Sequence, residues 1–309
     1  MTFHTKFILI AFLLGLPCIF SCNKKQEKQQ EANTPITGNL TITADEAFKP
    51  LIEAEKETFE ALYQNSKITI NYQPELVALN NFFNDSTDVI LIGRALTDTE
   101  NQYIKEQQLR INQIQVAKDA LALIISESLP INNLTDSLFI KICNGQIKNW
   151  NEVNNSLPDK PISIVIDQSK SSNLQFVIRK FNLAPAKINI YTAGSNEEVI
   201  KYIQQQPYAI GLISAGWIND EESNEVKAFR KGIKIAKIQK NNRLFSSLQD
   251  DLSVKDNPLT REIYLIRKNK KTDLGTGFSS FMVSDKGQRI ILKLGLLPAR
   301  MPGREVIVN

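Results

Sequence analysis

The sequence predicts an α/β protein of two lobes, and three observations carry that reading. Alternating apolar residues give way repeatedly to apolar residues three and four apart, as when "LTITA" leads into a run that sets Phe48, Leu51, Ile52, Phe59 and Leu62 on one helical face. Two long apolar stretches, "VAKDALALIIS" and "YAIGLIS", bracket a segment with its own strand and helices, the pattern of one lobe inserted into another. The chain of 309 residues, 42% hydrophobic and 23% charged, is long enough for about two domains and a large core.

The amino terminus reads as a targeting segment. Lys6 precedes "FILIAFLLGLPCIF", an apolar run too short to span a bilayer comfortably and suited to the core of a signal peptide. The run ends in "IFSC", which resembles the lipobox of bacterial lipoproteins and implies cleavage before Cys22 and acylation of its thiol; the plainer alternative is a secretory signal with an incidental cysteine. Residues 1–21 are therefore expected to be a lipoprotein signal peptide, and residues 22–37, polar and of low complexity, a flexible tether. Residues 38–116 with 210–309 are expected to form the first lobe and 117–209 the second.

Counts of reactive side chains exclude much chemistry. Cys18 leaves with the signal and Cys22 would carry lipid, so Cys143 stands alone and no intramolecular disulfide is expected. The sole histidine, His4, also lies in the signal, which leaves the mature chain without a Ser-His-Asp triad, a Cys-His pair or a histidine metal site. Binding rather than catalysis is the expectation, with no metal and no cofactor. A net charge of +4 gives no basic stripe, so nucleic acid is not an expected partner.

Along the chain, "GNLTITA" reads as a strand, Asp45 as the cap of the helix that follows, "KITINYQ" as a second strand and "TDVILI" as a buried third. A capping box from Thr97 to Glu100 starts another helix. "ISIVID" then leads through "QSKSSN" into the helix "NLQFVIRKF". This alternation points to parallel sheets, whose ligands sit where the strand-to-helix loops converge. Three loops qualify: 43–46, 93–97 and 167–173.

"VAKDALALIIS", "LTDSLFIKICNGQIKNWNEV", "YAIGLIS", "NPLTREIYLIRKN" and "FSSFMVSDKGQRIILKLGLLPAR" resemble, in order and spacing, the phosphate-binding substrate-binding proteins of bacterial ABC transporters, from about Gly38 to the end. Ile142, Gly145, Ile147, Asn149, Trp150 and Glu152 keep the shape of a motif specific to that family. The resemblance implies a two-lobed periplasmic-binding-protein type II fold with two hinge-crossing strands, expected at 116–126 and 208–214. It also implies a monomer on the periplasmic side of the envelope, lipid-anchored, that takes a small oxyanion, phosphate foremost, and hands it to an ABC-transporter permease.

The family's loops locate candidate ligand residues here: Thr43 and Asp45 in the first, Gly93 and Arg94 in the second, and Ser169, Ser171 and Ser172 in the third, with Lys170 adding charge. An arginine at a strand end can grip an oxyanion through two parallel bonds, or else pair with a surface carboxylate. Ser171 or Ser172 can donate to an anion or simply cap the helix. Where the family has an arginine before a Ser-Gly-Thr turn, this chain has Asp167 and no glycine; Pro74 and Glu75 replace Gly and Ser after "INYQ". These changes add acid, and uncompensated carboxylates repel a dianion. A non-transport sensor or scaffold of the same fold, or an enzyme using carboxylates, are the alternatives. Trp150 reads as a packed anchor outside the cleft, and Trp217 as either lining the cleft or serving the core or rim. "GTGFSSF" is misplaced for a nucleotide loop, and "RKNKK" at 267–271 reads as a solvated loop.

Overall fold

A single long strand organises the computed structural model, which describes residues 33–185, 188–269 and 273–303. The first elements are β1 (Gly38–Ala44), a 3-10 turn (Glu46–Phe48), α1 (Lys49–Leu62), β2 (Ser66–Tyr72), α2 (Glu75–Phe83), β3 (Val89–Ile92), α3 (Asp98–Glu106) and the long β4 (Ile111–Ser126). Next come β5 (Asn133–Thr135), α4 (Asp136–Cys143), α5 (Trp150–Val153), β6 (Ser163–Ile166), α6 (Ser172–Lys180), β7 (Ile190–Thr192), α7 (Asn196–Gln205) and β8 (Ala209–Ser214). A 3-10 turn (Ala215–Trp217), α8 (Asn224–Arg230), β9 (Ile233–Lys240), β10 (Arg243–Phe245), α9 (Gln249–Leu252), β11 (Thr260–Lys268), α10 (Leu274–Met282), α11 (Asp285–Lys293) and β12 (Leu297–Pro298) complete the order. The expected signal peptide, Cys18, Cys22, His4 and most of the tether lie outside the described residues.

The strands run β2-β1-β3-β11-β4-β8-β6-β7. β4 belongs to both halves of this path: residues 111–120 pair with β11, whereas 121–126 pair with β8 and β9. β1 lies parallel to β2 and β3, and β6 parallel to β7 and β8, as the alternation predicts. β11 and β4 are antiparallel to their neighbours, so the sheets are mixed rather than parallel throughout. The reason is connection: β11 arrives from the second sheet through residues 246–259 and so enters beside β3 in the opposite sense.

The expected strand at 116–126 does cross between sheets. The one expected at 208–214 does not, because β8 pairs with β4 and β6 inside the second sheet, and β9 and β10 follow it there. Strand pairing thus carries the second sheet well past residue 209, where the sequence placed its end. "RKNKK" also differs from expectation in its described part: Arg267 and Lys268 close β11, and Arg267 is buried.

Each strand's burial follows its neighbours. β3, "VILI", is buried on both faces, with Ile90, Leu91 and Ile92 wholly inaccessible. α1 turns Leu51, Ile52 and Phe59 inward, and Phe59 meets Phe278 and Phe281 edge to face at 5.4 Å. On that same buried face sits Glu55, neither of whose carboxylate oxygens has a hydrogen-bond partner. Burial pushes its carboxyl up to about 9 from the ordinary 4.5, so the native state binds a proton that the unfolded chain releases. The stability linked to that proton is complete below about pH 4.5 and falls as pH rises towards 9. By pH 7 the loss is about 3 kcal/mol. Glu55→Leu should therefore raise the urea midpoint at pH 7 and flatten its decline between pH 5 and 8; a variant less stable than wild type at pH 7 would contradict this.

Candidate functional site

The loops after β1, β2 and β3 meet the start of α6, and the local sequence explains how. Asp45 caps the 3-10 turn through Oδ1, which accepts from the Ala47 N–H at 3.0 Å. Ser171 caps α6, accepting from the Leu174 N–H at 3.3 Å, while its own hydroxyl donates to Asp167 at 2.5 Å. Ser172 is thereby freed to face the first sheet. Its N–H donates to Asp45 Oδ2 at 2.8 Å and its hydroxyl to Glu75 Oε2 at 2.7 Å. The two readings of "SKSSN" are thus divided between neighbouring residues: Ser171 caps, and Ser172 reaches across.

Gly93 allows this approach. A Cβ there would sit 3.1 Å from both the Phe48 ring and Ser172 Cβ, so both would have to give by a few tenths of an ångström to admit a side chain. Its N–H donates at 3.2 Å to Glu75 Oε2 and to Ser172 Oγ.

Glu75, wholly buried at the first position of α2, is the hub. Besides Ser172 and Gly93 it receives Arg94 Nε at 3.1 Å and Arg179 Nη1 at 3.2 Å. Its own N–H donates to Asp45 Oδ2 at 2.7 Å. Arg94 is further held by a fork of bonds to Glu100, at 2.7 and 2.8 Å. Burial alone would raise the Glu100 carboxyl, but bonds from Arg94 and from Thr97 bring it below the ordinary range.

Further acids surround this cluster. Glu46 accepts from the Asn196 N–H at 3.0 Å and its side-chain amide at 2.5 Å. Asp119 pairs with Arg261 at 2.7 Å, and Arg261 donates to Asn173 Oδ1 at 2.7 Å while lying over the Phe48 ring at 4.8 Å. Burial, with the charge of Asp167 adding to it, pushes Asp45 up to about 7; burial pushes Asp167 up to about 6.

Of the residues singled out from sequence, Asp45, Gly93, Arg94 and Ser172 come together, with Ser171 behind them. Thr43 does not join them: it is buried and donates to Thr87 at 3.1 Å. Ser169, with Lys170, is exposed on the turn before α6, away from the buried bonds. Trp150 is the packed anchor expected, wholly buried with Nε1 donating to the Tyr208 carbonyl at 2.9 Å. Trp217 is also buried and donates to the Ala47 carbonyl at 3.0 Å, tying the second 3-10 turn to the first. Arg179, Asn173, Asn196, Glu46, Asp119 and Arg261 were not singled out. Arg179 had a signal, lying seven residues after Ser172 and so on the same face of α6.

Two sheets joined by a shared strand, with a polar, donor-lined seam between their strand-to-helix loops, define a two-lobed α/β binding protein. The chain belongs to the PBP superfamily: residues 29–286 match the family described as PBP superfamily domain. It is similar to the phosphate-binding protein PstS of Borreliella burgdorferi, 26% identical over 304 residues that cover 94% of this chain and 98% of that one. The fold is that of a Clostridium perfringens transporter substrate-binding protein solved with bound phosphate (TM-score 0.72, 20% identity, covering 85% of this chain and 100% of that one). An ABC-type phosphate transport receptor from Vibrio cholerae shares it too (TM-score 0.65, 18% identity, 84% and 99%).

Proposed function

We propose that this chain is an extracytoplasmic, lipid-anchored binding protein that holds phosphate or a related oxyanion between its two sheets and passes it to an ABC-transporter permease. One observation carries the reading. The N–H groups of Ser172, Glu75 and Gly93, the Ser172 hydroxyl and the guanidinium groups of Arg94 and Arg179 converge on one seam, where each already holds a carboxyl oxygen. The names of the relatives give the ligand class. Amino-terminal acylation at Cys22 gives the anchor; no helix among the described residues is long and apolar enough to cross a membrane. No chemical step is involved: function is reversible capture of the anion.

Titration calorimetry of the wild type and of Glu75→Ser with phosphate, sulfate and molybdate tests the ligand. At least one should bind, and Ser172→Ala should weaken it about tenfold, the worth of one hydrogen bond to a charged group. If neither protein binds any of the three at millimolar concentration, the oxyanion reading fails. A sensor or scaffold of the same fold is the second reading, favoured by one feature: Asp45 and Glu75 take up the donors themselves.

A further inference from the structure

The seam between the sheets already contains an anion of the chain's own making. Asp45 and Glu75 are both wholly buried and, unlike the unpartnered Glu55, their oxygens are hydrogen-bonded throughout, with Glu75 also paired to Arg94 and Arg179. Three of their carboxylate oxygens, Asp45 Oδ2 and both of Glu75, face the seam's donors, while Asp45 Oδ1 is taken by the Ala47 N–H. Asp45 Oδ2 gathers the N–H groups of Glu75 and Ser172 at 2.7 and 2.8 Å. Glu75 gathers the Ser172 hydroxyl, the Gly93 N–H and, through Oε1, Arg94 and the partly exposed Arg179. These donors come from both sheets: Gly93, Arg94 and the Glu75 N–H from the first, Ser172 and Arg179 from the second. A bond from one carboxylate to α6 therefore does what a bound ligand would do, tying one sheet's loops to the other's. The Leu76 N–H, donating to the Lys170 carbonyl at 3.2 Å, and Glu46 with Asn196 reinforce the same closure.

We propose that Asp45 and Glu75 are resident occupants of the anion seat: in the solute-free protein they bridge the two sheets in place of a bound oxyanion and hold the cleft shut, and an external oxyanion binds by exchange with them. This rests on the oxyanion reading of the seat. It makes Glu75 a determinant of affinity that works by competition. Its removal frees Arg94, Arg179, the Gly93 N–H and the Ser172 hydroxyl together, whereas removal of a donor only weakens the seat.

Hydrogen exchange read by mass spectrometry on the full chain, dialysed into phosphate-free buffer, tests it. Peptides spanning 72–80 and 168–176 should be protected in the wild type without phosphate, exchange faster in Glu75→Ser, and regain protection in that variant when phosphate is added. Phosphate should bind Glu75→Ser about tenfold more tightly than wild type, since a competing set of charge-assisted bonds is gone. Should Glu75→Ser fold poorly by circular dichroism, Glu75→Gln keeps the size of the side chain and removes its charge, and the wild-type exchange alone still decides. Wild-type peptides that exchange freely and gain protection only with phosphate would overturn the inference while upholding the oxyanion reading. Equal protection in variant and wild type would also overturn it. Faster exchange in Glu75→Ser that phosphate does not reverse would leave the internal bridge standing and remove the oxyanion reading instead.

Discussion

Replacing Asp119 with alanine is expected to destabilise the protein by about 3 to 5 kcal/mol, the cost of stranding a buried charge. Asp119 on β4 lies directly opposite Arg261 on β11, and their side chains are 0% and 2% exposed. Arg261 reaches Asp119 Oδ2 through Nε at 2.9 Å and Nη2 at 2.7 Å, and Oδ1 accepts from the Ala215 N–H at 3.1 Å. The Phe48 and Phe176 rings lie 4.8 and 5.8 Å from the guanidinium, so its surroundings beyond Asp119 and Asn173 include apolar surface that cannot take the carboxylate's place. Urea denaturation at pH 7 measures the loss. Because desolvation offsets most of the attraction within such a pair, the double change Asp119→Leu with Arg261→Met should cost less than Asp119→Ala alone. An Asp119→Ala variant within about 1 kcal/mol of wild type would show that the guanidinium finds another partner.

Trp150→Ala is expected to cost about 3 to 5 kcal/mol, as large-to-small changes at wholly buried aromatic positions do. Two losses combine. The indole leaves a cavity in the core of the second half, and the Tyr208 carbonyl loses its donor. Trp150→Phe separates them, keeping most of the apolar surface and giving up the hydrogen bond, and should lose only about 1 to 2 kcal/mol in the same urea titration. If the two variants were equally destabilised, the hydrogen bond rather than the packing would be the anchor. Neither change touches the seam, so anion titration of either folded variant should match wild type.

The fold was legible where side-chain periodicity reports burial directly. β1, β2, β3 and the start of α3 follow from alternation, an unbroken apolar run and the Thr97–Glu100 capping box, all short-range signals. The fate of β8 and β9 was not legible, since "YAIGLIS" is equally apolar in either sheet and only its partners decide where it lies. The candidate site was half legible. Asp45, Gly93, Arg94 and Ser172 sit at loop positions that an α/β topology brings together, but their partners are long-range. That Glu75 would accept from Ser172, 97 residues away, cannot be read from either neighbourhood. Thr43 shows the converse: a hydroxyl at the end of a strand faced Thr87 rather than the seam, because one residue's shift along a strand reverses the side it presents. The acids at 45, 75 and 167 were visible as charges, but not as acceptors saturated by the chain's own donors.

β4 gives the protein a mechanical character of its own. Its 16 residues form one backbone whose amides are claimed by β11 up to Ala120 and by β8 and β9 from Leu121. Such a strand has no slack segment at the changeover, so any swing of one half against the other must be stored as twist, an elastic deformation rather than the free rotation of a linker. Melting obeys the same constraint. The described residues from Asn33 onward form one compact unit, and β4 is shared by both sheets, beside β11 in the first and between β8 and β9 in the second. Loss of either half's pairing along β4 is therefore expected to weaken the other's, coupling the two halves in unfolding.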